Sequence, residues 1–462
     1  MEEQEQELEQ ELEQEQEQPQ VDLIYKVDDR PPFGEALFAA FQHLLAIFVA
    51  IITPALIICG ALAKNVETTG YLVSMSLFVS GLATFIQCKR FGRVGCGLLC
   101  VQGTSFSFIS PIIAIAAIGG MPLVFGSCIA AAPVEILVSF TFKYLRRVIT
   151  PLVSGIVVML IGLSLIKAGF NSCAGGDRFA DDFGSAQNLG VAAVVLFCVI
   201  IFNNFKNKYV RMSSIFIALI IGYALAACLG MVDFSAFSES KYGWFYLPVP
   251  FKEGVKFNIS AIIALGLVYL VTAIEATGDV TANSMISGLS IKDDDYSKRV
   301  SGGVLADGIN SMLAGMFSSF PNSIFAQNNG IIQITGVASR YVGYFVAAML
   351  VILGLFPAIG IVFSIMPAPV LGGATLLMFG TVAAAGVKIL SAQTLDRSDV
   401  LIIAASLAAG MGVELAPDVL QHAPDDVRMI FSSGITTGGL VAILLNSAMV
   451  LFAGKNKGIK IK

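Results

Sequence analysis

Charged side chains are scarce in this chain. Only 13% of its 462 residues are Asp, Glu, Lys or Arg, where an ordinary soluble domain carries about 25%. That shortage excludes a hydrated globular surface of the usual kind. Two histidines and eight scattered cysteines supply neither a metal-ligand set nor a disulfide framework. Seven cysteines fall in or beside apolar blocks, and Cys173 alone is expected in an outside loop. No basic segment followed by a short apolar one opens the chain, so no signal peptide is expected. The net charge of −5 says little about partners, because much of the acid sits in one tail. Nothing points to nucleic acid.

Apolar residues are what the chain has in abundance: 56% of the total, with a mean hydropathy of +0.80. Roughly 20 apolar residues cross a bilayer, and blocks of that size recur from about Phe38 to Phe452. The predicted spans are about 33–62, 71–88, 122–142, 149–168, 189–204, 212–231, 259–288, 302–318, 342–358, 368–389, 399–413 and 431–453. Two further segments are polar and broken, 96–111 and 328–337, which makes fourteen. The fold class predicted is therefore an all-α polytopic membrane protein. Residues 2–20 are Glu and Gln apart from Leu8, Leu12 and Pro19, a tract that buries no core and reads as disordered.

Basic loops set the orientation. With the N-terminus inside, 21 of the 28 Lys and Arg lie on the inner side, and Lys64, Lys167, Arg178, Lys241, Lys252, Lys256 and Arg428 outside. Both termini are then cytoplasmic. An internal repeat agrees with this. Pro151, Gly155 and Gly162 match Pro369, Gly373 and Gly380 at an offset of 218 residues. Thr104 and Phe106 fall on Ser323 and Phe325 at an offset of 219. Seven spans separate the copies, so the second is inverted across the membrane. Two inverted seven-segment halves, with segments 3 and 10 each a short extended stretch plus a half-helix, describe a transporter rather than a receptor or membrane enzyme.

The tenth segment is the most polar of the blocks. Between Phe320 and Gly336 stand Asn322, Ser323, Gln327, Asn328, Asn329, Gln333 and Thr335. Lipid offers these groups no partner, so the segment is expected to face protein or water. Phe106 and Phe325 occupy matched places in the two broken segments. Facing rings would clamp a flat aromatic solute, each stack contributing about 1 kcal/mol; ordinary core packing is the alternative for a chain with 33 Phe. Gln327 adds a hydrogen-bonding edge, and free backbone amides near Ser105 and Asn328 would bind carbonyl oxygens.

Intramembrane ionisable residues are candidates for function by default, and they are few: His43, Glu135, Glu275, Asp279 and Asp307. Glu275 and Asp279 stand four apart and share one helix face, so a proton bound there relieves their repulsion. Asp307 precedes the tenth segment and could serve the same end. The alternative for each is a carboxyl that only pins a neighbouring helix. Glu135 has no polar neighbours in sequence, which favours that structural role. His43 is either a ligand, a proton relay or a satisfied packing histidine.

Gln327-Asn328-Asn329-Gly330 followed by Thr335-Gly336 resembles the signature of the nucleobase–ascorbate transporter family. Beyond it, QHLLAIF, ITPALI, QGTSF, RRVITPLVSGIVVMLIGLSLIK, IEATGDVTA, GGVLADG and VILGLFP look like the bacterial xanthine permeases. The resemblance covers nearly the whole chain after residue 20. It implies a bacterial inner-membrane importer of xanthine, coupled to protons and needing no cofactor or metal. It also implies a split into core and gate: a tail 1–32, core 33–147, gate 148–258, core 259–358, gate 359–453 and a basic tail 454–462. A homodimer through the gate is implied too. The family's substrate glutamate falls on Glu275, its motif glutamine on Gln327 and its stacking aromatics on Phe106 and Phe325. Its first-span histidine falls on His43, its second eighth-span acid on Asp279 and its ninth-span acid on Asp307. Ser105 stands where some xanthine permeases have Asn, which leaves the breadth of substrate choice open. Uric acid or another purine, or uracil, is the alternative cargo. An anion exchanger of the same architecture would want a basic residue near segment 3 or 10, and Arg340 is the nearest.

Overall fold

The computed structural model describes residues 23–145, 150–235, 245, 247–291 and 293–453. The Glu/Gln tract, Arg146 and Arg147, Trp244 and the basic end 454–462 lie outside the described residues. Among the described residues eight helices are long and apolar enough to cross a membrane, or nine if one bent pair counts as a span.

The first half opens with α1 (Phe33–Ala61) and α2 (Val66–Lys89). A short strand β1 (Gln102–Thr104) then leads through one 3-10 turn (Phe106–Phe108) into α3 (Ile109–Ala131). Gly120, at φ 72°, breaks α3 into two pieces, so the piece before it is a half-helix. After Ala132 the chain runs into α4 (Pro133–Leu145). Next come α5 (Pro151–Ala174), α6 (Ala186–Asn203), the short α7 (Lys208–Met212) and α8 (Ser214–Cys228). Cys173, expected in a loop, is instead buried in the last turn of α5. The helix extends past residue 168, and Gly372 of a later helix packs directly on its backbone at Cys173.

The second half opens with the same kinds of element: two helices, a strand and a half-helix. It runs α9 (Ile259–Ile286), α10 (Asp294–Met316), strand β2 (Asn322–Ile324) and the half-helix α11 (Gln327–Thr335). Then follow α12 (Arg340–Leu355), α13 (Pro357–Ser364), α14 (Ala368–Ser391), α15 (Arg397–Leu415), α16 (Asp425–Phe431) and α17 (Gly434–Ala453). Side-chain caps mark most starts: Asn258 accepts from Ala261 N, Asp293 from Tyr296 N, and Asp396 with Asp399 forms a capping box. Both broken segments are therefore observed, each as strand plus half-helix. β1 and β2 pair antiparallel, Gly103 opposite Ser323 and Thr104 opposite Asn322. In lipid a lone strand would leave its amides unpaired. Each of these three-residue strands supplies the other's ladder.

Glycine sets the closest approaches. A Cβ on Gly162 would lie 2.2 Å from Ala383 N, and one on Gly386 would lie 2.4 Å from Met159 N, so α5 and α14 touch backbone to backbone. The expected boundary at 358/359 falls inside α13. That helix bends 76° from α12 and lays Gly360 against Gly70 of α2. Pro357 starts it at the first helical position, where its missing N–H costs nothing.

Candidate functional site

The two half-helices start from the paired strands, with α1, α9 and α10 around them. α11 sends three consecutive side chains in three directions, as a turn of 3.6 residues requires. Asn328 points to α1, where its Oδ1 lies 2.9 Å from His43 Nδ1. Asn329 turns to α9: its Oδ1 accepts from Asn283 Nδ2 at 2.9 Å, and its Nδ2 donates to the Asp279 carbonyl at 3.5 Å. Gln327, left over, is exposed. Of the three it alone leaves its amide open, while its neighbours fix the angle of the helix.

Phe106 and Phe325 face each other as the matched positions suggested, their ring centroids 6.4 Å apart and the planes 26° from parallel. Both are almost fully buried. A heterocycle sandwiched between them would need two contacts of about 3.5 Å, so the rings would have to part by about half an ångström to admit one. Gly103 makes room for this pair, since a Cβ there would lie 2.4 Å from Phe325 Cε2. Phe379 of α14 closes edge-on against Phe106, centroids 5.6 Å apart at 78°. That third ring comes from the other side of the site.

Glu275 is half-buried on α9 and accepts a long bond, 3.4 Å, from Ser107 Oγ in the first broken segment. Asp279, one turn on, is also half-buried. Asp307 is wholly buried. Its Oδ1 accepts from Gln87 Nε2 at 2.8 Å and from Gln102 Nε2, so it pins β1 and α2 to α10. Glu135, expected to lack polar company, accepts from Thr272 Oγ1 at 3.1 Å, a turn before Glu275. Ser105 is buried, and its amide donates to Pro321 O at 2.8 Å. The Asn328 amide closes a turn on Phe325 O at 3.2 Å. Those two amides are thus engaged: strand pairing and the turn into α11 use them.

Sequence reasoning overlooked Gln87, Gln102, Ser107, Asn283 and Phe379. A lone amide inside an apolar helix, as at Gln87, was the available signal. Phe379 gave none, being one Phe among many.

A sequence profile described as a permease family matches residues 34–419. Xanthine permease XanP of Escherichia coli (strain K12) is 49% identical over 436 residues, 92% of this chain and 94% of that protein. Xanthine permease XanQ of the same strain is 46% identical, over 92% and 93%. Uric acid permease PucJ of Bacillus subtilis (strain 168) is 37% identical, over 88% and 91%. Among solved structures, the transmembrane domain of the cyanobacterial bicarbonate transporter BicA aligns with a TM-score of 0.54 at 14% identity, covering 92% of this chain and 99% of that one. Murine Slc26a9, an anion transporter in the inward-facing state, aligns at 0.62 and 12%, covering 93% and 70%. At those identities the likeness is one of fold alone. With a profile matching most of its length and relatives near half identity, the chain is an integral membrane protein that belongs to the nucleobase–ascorbate transporter branch of the permease family, a transporter and not an enzyme.

Proposed function

We propose that this protein imports xanthine across the bacterial inner membrane together with protons, by alternating access. The observation that carries the reading is the parallel pair Phe106 and Phe325, one from each broken segment, beside the exposed amide of Gln327. The rings take the two faces of a flat purine. Gln327 and Glu275 take its edge, where an oxidised purine alternates N–H donors with carbonyl acceptors. Ser105 and Asn328 shape the floor. The relatives named xanthine permease support this cargo, and the relative named uric acid permease makes uric acid the second candidate.

The architecture of the proposal is fourteen segments in two inverted halves. The strand register supports it: Gly103 opposite Ser323 and Thr104 opposite Asn322 is the pairing that a two-fold between the strands demands at an offset of 219. Spans 1–4 and 8–11 form the core that holds the purine, and spans 5–7 and 12–14 the gate. Phe379 on α14 is then the gate's contact with the site, and it moves off Phe106 when the site opens. A cavity of about 260 Å³ between the ends of α1 and α5, lined by Gly60, Lys64, Asn171 and Leu371, lies away from the rings along the same boundary. Both termini are cytoplasmic by the distribution of basic loops. The apolar windows of α6 and α15 are only 28% and 17% buried, a surface for lipid or a second copy joined gate to gate.

For coupling, one proton entering down 100 mV supplies about 2.3 kcal/mol, enough for accumulation of about fiftyfold. Glu275 and Asp279 carry or sense that proton, while Asp307 and His43 hold the geometry. No cofactor takes part. An anion exchanger would need a free cation at the site, and Arg340 is held by Asp28 Oδ1 at 2.6 Å. Uptake of labelled xanthine by cells lacking their own permeases tests the reading. Glu275→Gln and Gln327→Ala are expected to abolish accumulation, and a protonophore to collapse it. Parental uptake in either variant, or sodium-driven uptake indifferent to protonophore, would overturn it.

A further inference from the structure

Each half of the chain begins with a short non-helical segment that fastens onto the other half. Residues 23–30 precede α1, yet they bind the far end of α11. Ile24 N and Tyr25 N both donate to Gly336 O, at 2.8 and 3.2 Å. Ala338 N returns a bond to Tyr25 O at 2.9 Å, and Arg340 N one to Val27 O at 3.0 Å. Ser339 Oγ donates to Asp29 O at 2.6 Å, and Arg340 pairs with Asp28 at 2.6 Å. Tyr25 OH in turn donates to Glu35 Oε2 at 2.7 Å, tying the segment to α1. Gly336 is the left-handed residue that ends α11, so the acceptor used is a carbonyl the helix leaves unpaired.

The inverted counterpart precedes α9. There Lys256 N donates to Pro122 O at 2.8 Å, two residues past the Gly120 break that ends the other half-helix. Phe251 N donates to Met316 O at 2.7 Å. Lys256 O sits so close to α3 that a Cβ on Gly126 would lie 1.9 Å from it. The leader of the second half thus holds the helix that follows the half-helix of the first, as the leader of the first holds the end of α11 and the start of α12 in the second.

We infer that these two leaders are straps that set the tilt of the half-helices, and that Asp28, Arg340 and Gly126 are positioning residues for purine recognition. The inference rests on the purine reading above for its transport readout. α11 is nine residues long, or roughly 13 Å, with Gln327 at one end and the strap at the other. Tilting such a rod by about 10° moves its free end by about 2 Å, and misplacement on that scale costs large factors in recognition. The first strap acts through the far end of α11, and the second through the helix joined to the other half-helix at the Gly120 break.

The test compares KM and membrane abundance in uptake of labelled xanthine. Deleting residues 2–20 is expected to leave KM unchanged. Asp28→Arg and Arg340→Asp are each expected to raise KM about threefold or more, and the double exchange to return it to within about twofold of the parent. Gly126→Ala is expected to raise KM in the same way from the opposite face. Parental KM in the single variants overturns the inference, and so does a loss confined to abundance. Hydrogen exchange on purified protein reads the inner strap without any substrate: Arg340→Asp should speed exchange of the α11 amides and spare those of α5. Unchanged exchange in α11 overturns the inference whatever solute is carried. Failure of the parent to take up any purine instead removes the functional reading.

Discussion

His43 Nδ1 and Asn328 Oδ1 meet at 2.9 Å, joining the first helix to the second residue of α11 across 285 positions of sequence. Both side chains are buried. The bond spans the two halves, and it fixes how α11 is rotated about its own axis, hence where Gln327 faces.

Replacing His43 with Leu leaves the Asn328 oxygen buried and unpaired, a loss of about 1–3 kcal/mol. Xanthine uptake is expected to fall at least about tenfold. His43→Asn can still donate from Nδ2 and is expected to retain more. Measured KM and immunoblotted abundance separate the two variants; equal uptake in both would show that the bond does not matter.

Gly103→Ala is expected to raise KM sharply without loss of the protein. Its Cβ would lie 2.4 Å from Phe325 Cε2 and 2.8 Å from Ile51 Cγ1, so the ring must leave its parallel arrangement with Phe106. Uptake kinetics in membranes of matched abundance give the answer, and a parental KM would refute the stacking geometry.

Asp307→Asn puts an amide where two amide donors, Gln87 Nε2 and Gln102 Nε2, now converge on one carboxylate oxygen. Donor then faces donor unless the new group presents only its oxygen. The expected outcome is loss of uptake, with Gln87→Ala milder because it removes one donor rather than the shared acceptor. The check is the ratio of the two rates at equal abundance.

Glu135→Gln preserves an acceptor for Thr272 Oγ1, now at 3.1 Å. If Glu135 is structural, uptake stays within about twofold, as for other near-isosteric buried changes. Glu135→Ala leaves a cavity beside α9 and is expected to cost about 2 kcal/mol or more of stability. Abolished transport in Glu135→Gln at full abundance would instead make it part of the proton route.

Gly162→Val is expected to prevent assembly rather than alter recognition. The nearest atoms to a Cβ there are the Ala383 amide and Cα, at 2.2 and 2.6 Å, and backbone cannot swing aside as a side chain can. Membrane abundance after detergent extraction reads this outcome.

Apolar run length was enough to mark most helices within a few residues. α1, expected at 33–62, is observed at Phe33–Ala61, and α14, expected at 368–389, at Ala368–Ser391. The two broken segments were also legible, because polar residues flanked by Pro and Gly inside apolar sequence have few other structures open to them. What stayed hidden was pairing across distance. Gln102 and Asn283 look like incidental polar residues until the fold brings each to its partner.

Sequence by itself therefore determined that the chain crosses a membrane, where it is broken, and which residue types the breaks carry, since all three follow from local composition and the cost of lipid-facing polar groups. Tertiary structure alone decided that Asn328 and Asn329 serve as anchors while Gln327 stays exposed, that two amides from separate elements meet one oxygen of Asp307, and that Phe379 reaches Phe106. Rotation of a half-helix by one residue exchanges those roles, and only the neighbours packed around it choose the rotation.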